Sequence, residues 1–242
     1  MTRLALALIV GFVLSGVDAS AAMQKKDVDI KAADGVNLKG TYFSPGGAGP
    51  AILLLHQCNM DRHAWDGLAN DLASAGFHVL TLDYRGYGDS GDKTEDPAQR
   101  KIAQSKWPGD VDIAFEYLLA QQGVDKGRLA AGGASCGVGQ SSALASRRPQ
   151  IKVLLELSGT PSAESLAYVS NTPALAVFGA AAEGDETPAK NIRALLGASK
   201  NEHSMLKMYP GKEHGVPLFA VNAELQPMVV NWLKTQLAHS GH

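Results

Sequence analysis

The chain has 242 residues, of which 45% are hydrophobic and 19% are charged, and its formal net charge at pH 7 is -2. This length can bury one sizeable core and fits a single α/β domain better than two small ones. The near-neutral charge argues against a nucleic-acid partner, because such a partner is normally bound through a basic surface. The seven histidines are scattered without the paired spacing of a zinc site, so no metal is predicted.

Residues 1–21 have the pattern of a secretory signal peptide. A positive start at Arg3 is followed by an apolar run over 4–14 and then by small residues that include Ala21 and Ala22. The run is shorter than the roughly 20 apolar residues of a transmembrane helix, although an uncleaved N-terminal anchor is the alternative. We expect cleavage after Ala21 or Ala22, no stable membrane insertion afterwards, and a secreted or periplasmic protein with one domain over 22–242.

The next segment predicts an antiparallel hairpin. Polar and apolar residues alternate over 26–33 and 36–43, and Asp34-Gly35 between them suits a tight turn. Six short apolar runs then follow, and uninterrupted hydrophobicity is typical of parallel strands that are covered on both faces. The runs occupy residues 51–55, 77–82, 128–131, 153–157, 174–178 and 205–209.

Amphipathic helical patterns separate these runs. They occupy residues 65–75, 111–121, 137–147, 189–196 and 223–237. Alternating strands and helices predict an α/β fold with a doubly wound sheet. About fifteen residues lie between the runs that end at 157 and begin at 174, which is too few for a cap domain. Segments 88–108 and 159–172 are the candidates for partial cover, so we expect a fairly open site.

The segment Gly133-Ala134-Ser135-Cys136-Gly137 follows an apolar run and precedes a helical pattern. This is the G-x-S-x-G pattern, in which a serine lies on a sharp strand-to-helix turn and the glycines let neighbouring backbone pass. The N-terminus of the following helix favours negative charge at the site. Ser135 is therefore the predicted nucleophile. Cys136 is the alternative nucleophile. However, the residues two positions before and after Ser135 are both glycines, whereas those around Cys136 are Ala134 and Val138.

Together with His56 after the first parallel strand and the segment 83–90 after the next, this motif resembles the α/β-hydrolase superfamily. The resemblance covers nearly all of the chain beyond the signal peptide. It implies a mostly parallel twisted sheet flanked by helices, with the N-terminal hairpin antiparallel. The small size and the missing cap domain resemble the dienelactone-hydrolase-like and serine-esterase branches. Such a protein needs no cofactor, and its partner is a small-molecule acyl substrate; the oligomeric state stays open.

A serine hydroxyl needs a histidine to take its proton and a carboxylate to orient that histidine. In this family the chain order is serine, acid, histidine. His214 lies after the last apolar run, in a segment that resembles the family's G-x-x-H-G pattern, and is the predicted base. Asp185, shortly before Pro188, is the predicted acid, and Glu183 in the same loop is the alternative.

The resemblance also implies two backbone N–H groups that bind the oxyanion. One belongs to Cys136, and the other comes from the loop after the first parallel strand. Many relatives have His-Gly in that loop, whereas this chain has His56-Gln57-Cys58, so Cys58 is the predicted second donor and Gln57 the alternative. His56 is expected to be a buried hydrogen-bonding strut.

The two cysteines of the chain thus fall at the two predicted oxyanion donors and should lie close together. Because an exported protein folds in an oxidising compartment, we hypothesise a disulfide bond between Cys58 and Cys136 that rigidifies the oxyanion hole. The alternative is a pair of buried free thiols that act as small hydrophobic groups.

These features predict an exported serine hydrolase that cleaves a carboxylic ester or related acyl bond through a Ser135-Asp185-His214 triad and an acyl-enzyme intermediate. Two alternatives remain from the sequence. One is a non-catalytic binding or scaffold protein on the same fold, and the other is a dienelactone-hydrolase-like enzyme that depends on Cys136.

Overall fold

The structure is a computed structural model that describes residues 22–238. The predicted signal peptide at 1–21 and the last four residues of the predicted domain lie outside this range. No helix within 22–238 is both long and apolar enough to cross a bilayer.

The described range contains a single sheet. Its strands are β1 (Gln24–Lys31), β2 (Asn37–Ser44), β3 (Gly49–Leu55), β4 (His78–Leu82), β5 (Val124–Ala134), β6 (Ile151–Leu157), β7 (Ala176–Ala182) and β8 (Met205–Tyr209). The helices are α1 (Asp66–Ser74), α2 (Pro97–Ser105), α3 (Trp107–Leu119), α4 (Cys136–Arg147), α5 (Ala163–Asn171), α6 (Glu186–Ala198), α7 (Leu218–Val221) and α8 (Leu225–Ala238). A short 3₁₀ helix, Arg62–Trp65, precedes α1.

The strand order is β1-β2-β4-β3-β5-β6-β7-β8. Strands β1 and β2 form the antiparallel hairpin, β2 also pairs antiparallel with β4, and the remaining pairs are parallel. The predicted doubly wound sheet with an antiparallel N-terminal hairpin is confirmed. Because the parallel strands point the same way, the loops after β3, β5, β7 and β8 meet at one edge of the sheet, and these loops hold the predicted site.

Both faces of the sheet are covered by helices. Along β3, alternate side chains enter opposite halves of the core: Leu53 and Leu55 pack with residues of α3 and α4, whereas Ile52 and Leu54 pack with residues of α1 and α8. Every residue of β3 from Ala51 onward is fully buried. Burial on both faces explains why this strand has a continuous apolar sequence rather than an alternating one.

Segment 88–108 contains more structure than its sequence pattern indicated. Helix α2 lies within it, with Asp96 as N-cap, whose side chain accepts a hydrogen bond from the Ala98 N–H, and with Pro97 in the first turn. One residue of α2, Ala103, is buried. A helix with so little buried surface lacks the apolar periodicity that would reveal it, although its capping residues were visible in the sequence.

Candidate active site

Ser135 lies on the turn between β5 and α4. Its backbone has φ 54° and ψ −117°, a region that non-glycine residues rarely adopt, and its N–H donates to the Leu157 carbonyl at 2.9 Å. Residues in such strained conformations persist where the surrounding structure holds them, and they cluster at active sites. The turn projects a half-buried serine at the carboxyl edge of the sheet.

Glycines make this turn possible. A Cβ on Gly133 would lie 2.2 Å from the Gly137 carbonyl carbon, and a Cβ on Gly137 would lie 2.3 Å from the Leu55 carbonyl oxygen. Gly159, which sequence reasoning did not single out, is equally constrained, since its Cβ would lie 2.3 Å from the Ser135 carbonyl oxygen. The sequence feature that could have indicated Gly159 is its position two residues after β6, the strand that pairs with β5.

The loops after β7 and β8 bring an acid and a histidine together. His214 Nδ1 lies 2.7 Å from Asp185 Oδ2, with side-chain exposures of 38% and 17%. Glu183, the alternative acid, points away and pairs with Arg193, whose hydrogen bond lowers the pKa of the Glu183 carboxyl. The structure therefore joins Asp185, and not Glu183, to His214.

Backbone contacts fix the spacing of these two loops. The Glu183 N–H donates to the Tyr209 carbonyl and the Gly184 N–H donates to the Gly211 carbonyl, both at 2.8 Å. A Cβ on Gly184 would lie 2.6 Å from the Gly211 oxygen. These bonds continue the pairing of β7 with β8, so the acid loop and the histidine loop form one unit.

This unit lies against the nucleophile turn. Gly215, next to His214, is a neighbour of Ala134, next to Ser135, since a Cβ on Gly215 would lie in ordinary contact with the Ala134 Cβ at 3.4 Å. Within residues 22–238, the Ser135 hydroxyl and the His214 ring form no hydrogen bond with each other. Catalytic hydrogen bonds are often long in unliganded enzymes and tighten when substrate binds.

The predicted oxyanion donors flank Ser135. Cys136 is the first residue of α4, where backbone N–H groups have no acceptor within the helix. In the loop after β3, the Met60 N–H donates to the Gln57 carbonyl at 3.0 Å, whereas the N–H groups of Gln57 and Cys58 donate to no backbone carbonyl of the described chain. Both therefore remain candidates for the second donor.

A disulfide bond joins Cys58 to Cys136, with 5.8 Å between their Cα atoms. It links the loop after β3 to the first residue of α4, as the sequence hypothesis proposed, and the alternative of two free thiols does not describe this structure. A disulfide sulfur is not a thiolate, so the Cys136-dependent mechanism would first require reduction of this bond.

His56 is fully buried in the same loop and packs against Tyr84 and Tyr87. Its Nε2 accepts from the Tyr84 N–H at 3.3 Å, and its Nδ1 lies 2.8 Å from the Gln57 carbonyl oxygen. The first contact needs an unprotonated Nε2, which places the ring proton on Nδ1. Burial lowers the pKa of His56, in keeping with a neutral ring that serves as a strut.

Glu156 is a fully buried acid beneath the nucleophile helix, and sequence reasoning missed it. It lies on β6, and its two carboxyl oxygens are 2.9 and 2.8 Å from the Ser141 hydroxyl on α4. Burial raises its pKa well above the usual range of a glutamate. A single acidic residue in an apolar strand was the available signal.

Two cavities adjoin the loop after β3. One of about 280 Å³ is lined by Cys58, Tyr87 and charged residues of the segment 92–100, with α2 forming part of its wall. The other, of about 390 Å³, is mainly apolar and is lined by Met60, Val216, Phe219 and their neighbours. No group of three or more His, Cys, Asp or Glu residues within 22–238 is arranged to hold a metal ion.

A sheet in this strand order, with a G-x-S-x-G turn after β5 and an acid–histidine pair after β7 and β8, defines the α/β-hydrolase fold. A sequence family described as "alpha/beta hydrolase fold" matches residues 50–169. The chain has the α/β-hydrolase fold, and this family match covers just under half of it.

Among curated proteins, an uncharacterized protein of Mycobacterium tuberculosis is 36% identical over 141 residues, which are 57% of this chain and 47% of that protein. The chain thus matches about half the length of this relative. An esterase of Pyrococcus furiosus has a TM-score of 0.70 at 19% identity, covering 89% of this chain and 92% of the esterase. A dienelactone hydrolase of Anabaena variabilis has a TM-score of 0.66 at 18% identity, covering 89% and 99%. At these identities the structural neighbours share the fold.

Proposed function

We propose that the protein is an exported serine hydrolase that cleaves a carboxylic ester or a related acyl bond. The observation that carries this proposal is the 2.7 Å contact between His214 and Asp185 in loops that lie against the strained turn of Ser135. The names of the esterase and dienelactone hydrolase among the structural neighbours accord with acyl-bond hydrolysis.

In the proposed reaction, Ser135 Oγ attacks the acyl carbonyl while His214 Nε2 takes the hydroxyl proton. Asp185 holds the ring through Nδ1 and stabilises the imidazolium that forms. The N–H of Cys136 and one N–H of the loop after β3 bind the oxyanion. His214 then gives the proton to the leaving alcohol, and water, activated by the same ring, releases the acyl group from Ser135.

The nucleophile is tested with a fluorophosphonate probe and intact-mass measurement. We expect one adduct per protein molecule and none on the matched variant Ser135→Ala. Folded wild-type protein that forms no adduct would reject the serine mechanism and favour a binding role. An adduct that persists on Ser135→Ala would place the nucleophile elsewhere.

Export is proposed from the signal pattern at residues 1–21. When the full chain is produced in a Gram-negative host, we expect a periplasmic protein whose N-terminus follows Ala21 or Ala22. N-terminal sequencing of the periplasmic fraction checks this. A full-length chain recovered in the membrane fraction would instead support an uncleaved anchor.

A further inference from the structure

The side chain of Gln57 connects the loop after β3 to the loop that carries His214. Gln57 is 2% exposed. Its Oε1 accepts a hydrogen bond from the Val216 N–H at 2.9 Å, and its Nε2 donates to Asn59 Oδ1 at 2.8 Å. Val216 is two residues beyond His214, so this amide group meets the histidine loop directly.

The histidine loop is shaped to receive this side chain. Gly215 has φ +72°, and a Cβ there would lie 2.3 Å from Gln57 Oε1. The collision at Gly215 is with Gln57 alone, because toward Ala134, beside Ser135, the same Cβ would lie 3.4 Å away in ordinary contact. A side chain at position 215 would therefore push the histidine loop away from Gln57.

Gln57 is itself held in a fixed loop. The residue before it, His56, is buried and bonded to the Tyr84 N–H, and the residue after it, Cys58, is joined to Cys136 on α4. A continuous path of contacts thus runs from the nucleophile helix through the disulfide bond and Gln57 to the histidine loop. A side chain that is anchored on both sides loses little freedom when it holds a partner, which is the condition for a precise support.

We propose that Gln57 is a positioning residue that sets the place of His214 relative to Ser135 and the oxyanion donors. This inference rests on the proposed function, because it assigns Gln57 a task in the same reaction. An amide suits the task because it offers one acceptor to Val216 and one donor to Asn59 without bringing a negative charge beside a developing oxyanion.

The test compares Gln57→Met, which keeps the volume and removes both hydrogen bonds, with Asn59→Ala, which removes only the bond within the loop. With a p-nitrophenyl ester, we expect kcat of Gln57→Met to fall by about 100-fold with KM nearly unchanged, because a small misplacement of a catalytic group costs about this much. Asn59→Ala is expected to stay within about threefold of wild type. Equal kcat values for Gln57→Met and wild type would overturn the proposal.

A second readout does not depend on activity. Proton NMR of the wild type should show the downfield resonance of the His214 Nδ1–H that is bonded to Asp185, assigned by its loss in His214→Ala. We expect it to vanish in Gln57→Met through exchange with water and to persist in Gln57→Glu, which keeps an acceptor for Val216. A resonance unaffected in a folded Gln57→Met would overturn the proposal.

The two readouts separate this inference from the proposed function. If the wild type forms no fluorophosphonate adduct but Gln57→Met loses the resonance, the positioning role holds and the hydrolase mechanism fails. If the wild type reacts and neither kcat nor the resonance changes in Gln57→Met, the hydrolase mechanism holds and the positioning role fails.

Discussion

Two carboxylates in one loop have opposite surroundings. Asp185 faces the His214 ring at 2.7 Å with 17% of its side chain exposed, whereas Glu183 is half exposed and paired with Arg193. A carboxylate that orients a histidine stabilises its correct tautomer and its charged form during the reaction, and an exposed ion pair does neither.

We therefore expect Asp185→Asn to lower kcat on an activated ester by about three to four orders of magnitude. The matched variant Glu183→Gln should stay within about twofold of wild type, since surface substitutions have small effects. Steady-state kinetics on both variants checks this. A large loss in Glu183→Gln together with an active Asp185→Asn would reverse the assignment of the acid.

The contacts between Glu156 and Ser141 indicate which of these groups carries each hydrogen. The Ser141 hydroxyl carries one hydrogen, yet it lies within hydrogen-bond distance of both Glu156 oxygens and of the Gly137 carbonyl at 2.9 Å. A neutral Glu156 resolves this, because its O–H donates to Ser141, whose own hydrogen then goes to Gly137. The acid thereby supports the backbone of the glycine that follows the nucleophile turn.

Because burial raises the pKa of Glu156 in the folded state, its contribution to stability is fully present below the ordinary glutamate value of about 4.5 and is lost as the pH rises through the raised value. The glutamine side chain of Glu156→Gln is neutral at every pH, so the stability of this variant does not fall with pH for this reason. Urea unfolding at pH 5 and pH 8 should show that the stability of wild type relative to Glu156→Gln falls by about 1 kcal/mol or more over this interval. The exposed residue Glu164 supplies the variant Glu164→Gln as the control for the loss of one carboxyl group. Parallel profiles for Glu156→Gln would mean that Glu156 is already ionised at pH 5.

At the scale of elements, the junction of β5 and α4 depends on two glycines that differ in their surroundings. A Cβ on Gly137 would collide with the Leu55 carbonyl at 2.3 Å, whereas a Cβ on Gly139, one half-turn further along α4, would lie 3.4 Å from the Thr160 carbonyl. The backbone of β3 is buried and closely packed, so it cannot move to relieve the collision at Gly137. The distance at Gly139 is an ordinary contact and requires no movement.

Gly137→Ala should therefore lower the free energy of unfolding by about 2 kcal/mol or more. Gly139→Ala should be neutral or should stabilise the protein by up to about 1 kcal/mol, because alanine has the higher helix propensity. Urea unfolding of both variants measures the difference. Equal stability of the two variants would show that α4 can move away from β3.

The elements that were predicted well are those with one dominant pattern. Strand β8 matches its apolar run, β3 ends at its predicted residue but begins two residues earlier, and α4 begins within one residue of its predicted start. Strand β7 was predicted as 174–178 but spans Ala176–Ala182, because its second half is alanine, a residue with no strand preference, and is held by pairing with β8. This extension moves Glu183 and Asp185 to the first residues after the strand.

At the scale of the whole molecule, the disulfide bond joins residues that are 78 positions apart and closes a loop that contains β4, β5 and the helices between them. Constraining so long a loop in the unfolded chain stabilises a protein by about 2 to 4 kcal/mol.

We expect the double variant Cys58→Ala/Cys136→Ala to fold, with a free energy of unfolding in urea that is lower by about 2 to 4 kcal/mol. We also expect it to react with fluorophosphonate more slowly, by a factor of at most about ten. The slower reaction is expected because the loop proposed to supply the second oxyanion donor is no longer tied to α4. Dithiothreitol-treated wild type should behave in the same way. Equal masses of alkylated wild type with and without prior reduction would show that no disulfide bond forms.

The sequence by itself determined the fold class and the nucleophile turn. Both follow from local patterns. Continuous apolar runs indicate strands that are buried on two faces, and glycines at fixed positions around Ser135 indicate the turn. It also favoured Asp185 over Glu183 as the acid, and the family resemblance placed the two cysteines in two loops that should lie close together. The tertiary structure decided which carboxylate meets His214, since that depends on where β7 ends. The structure likewise revealed the contacts of Gln57, Glu156 and Gly159, because each meets a partner on another element, at a distance along the chain that no local pattern encodes.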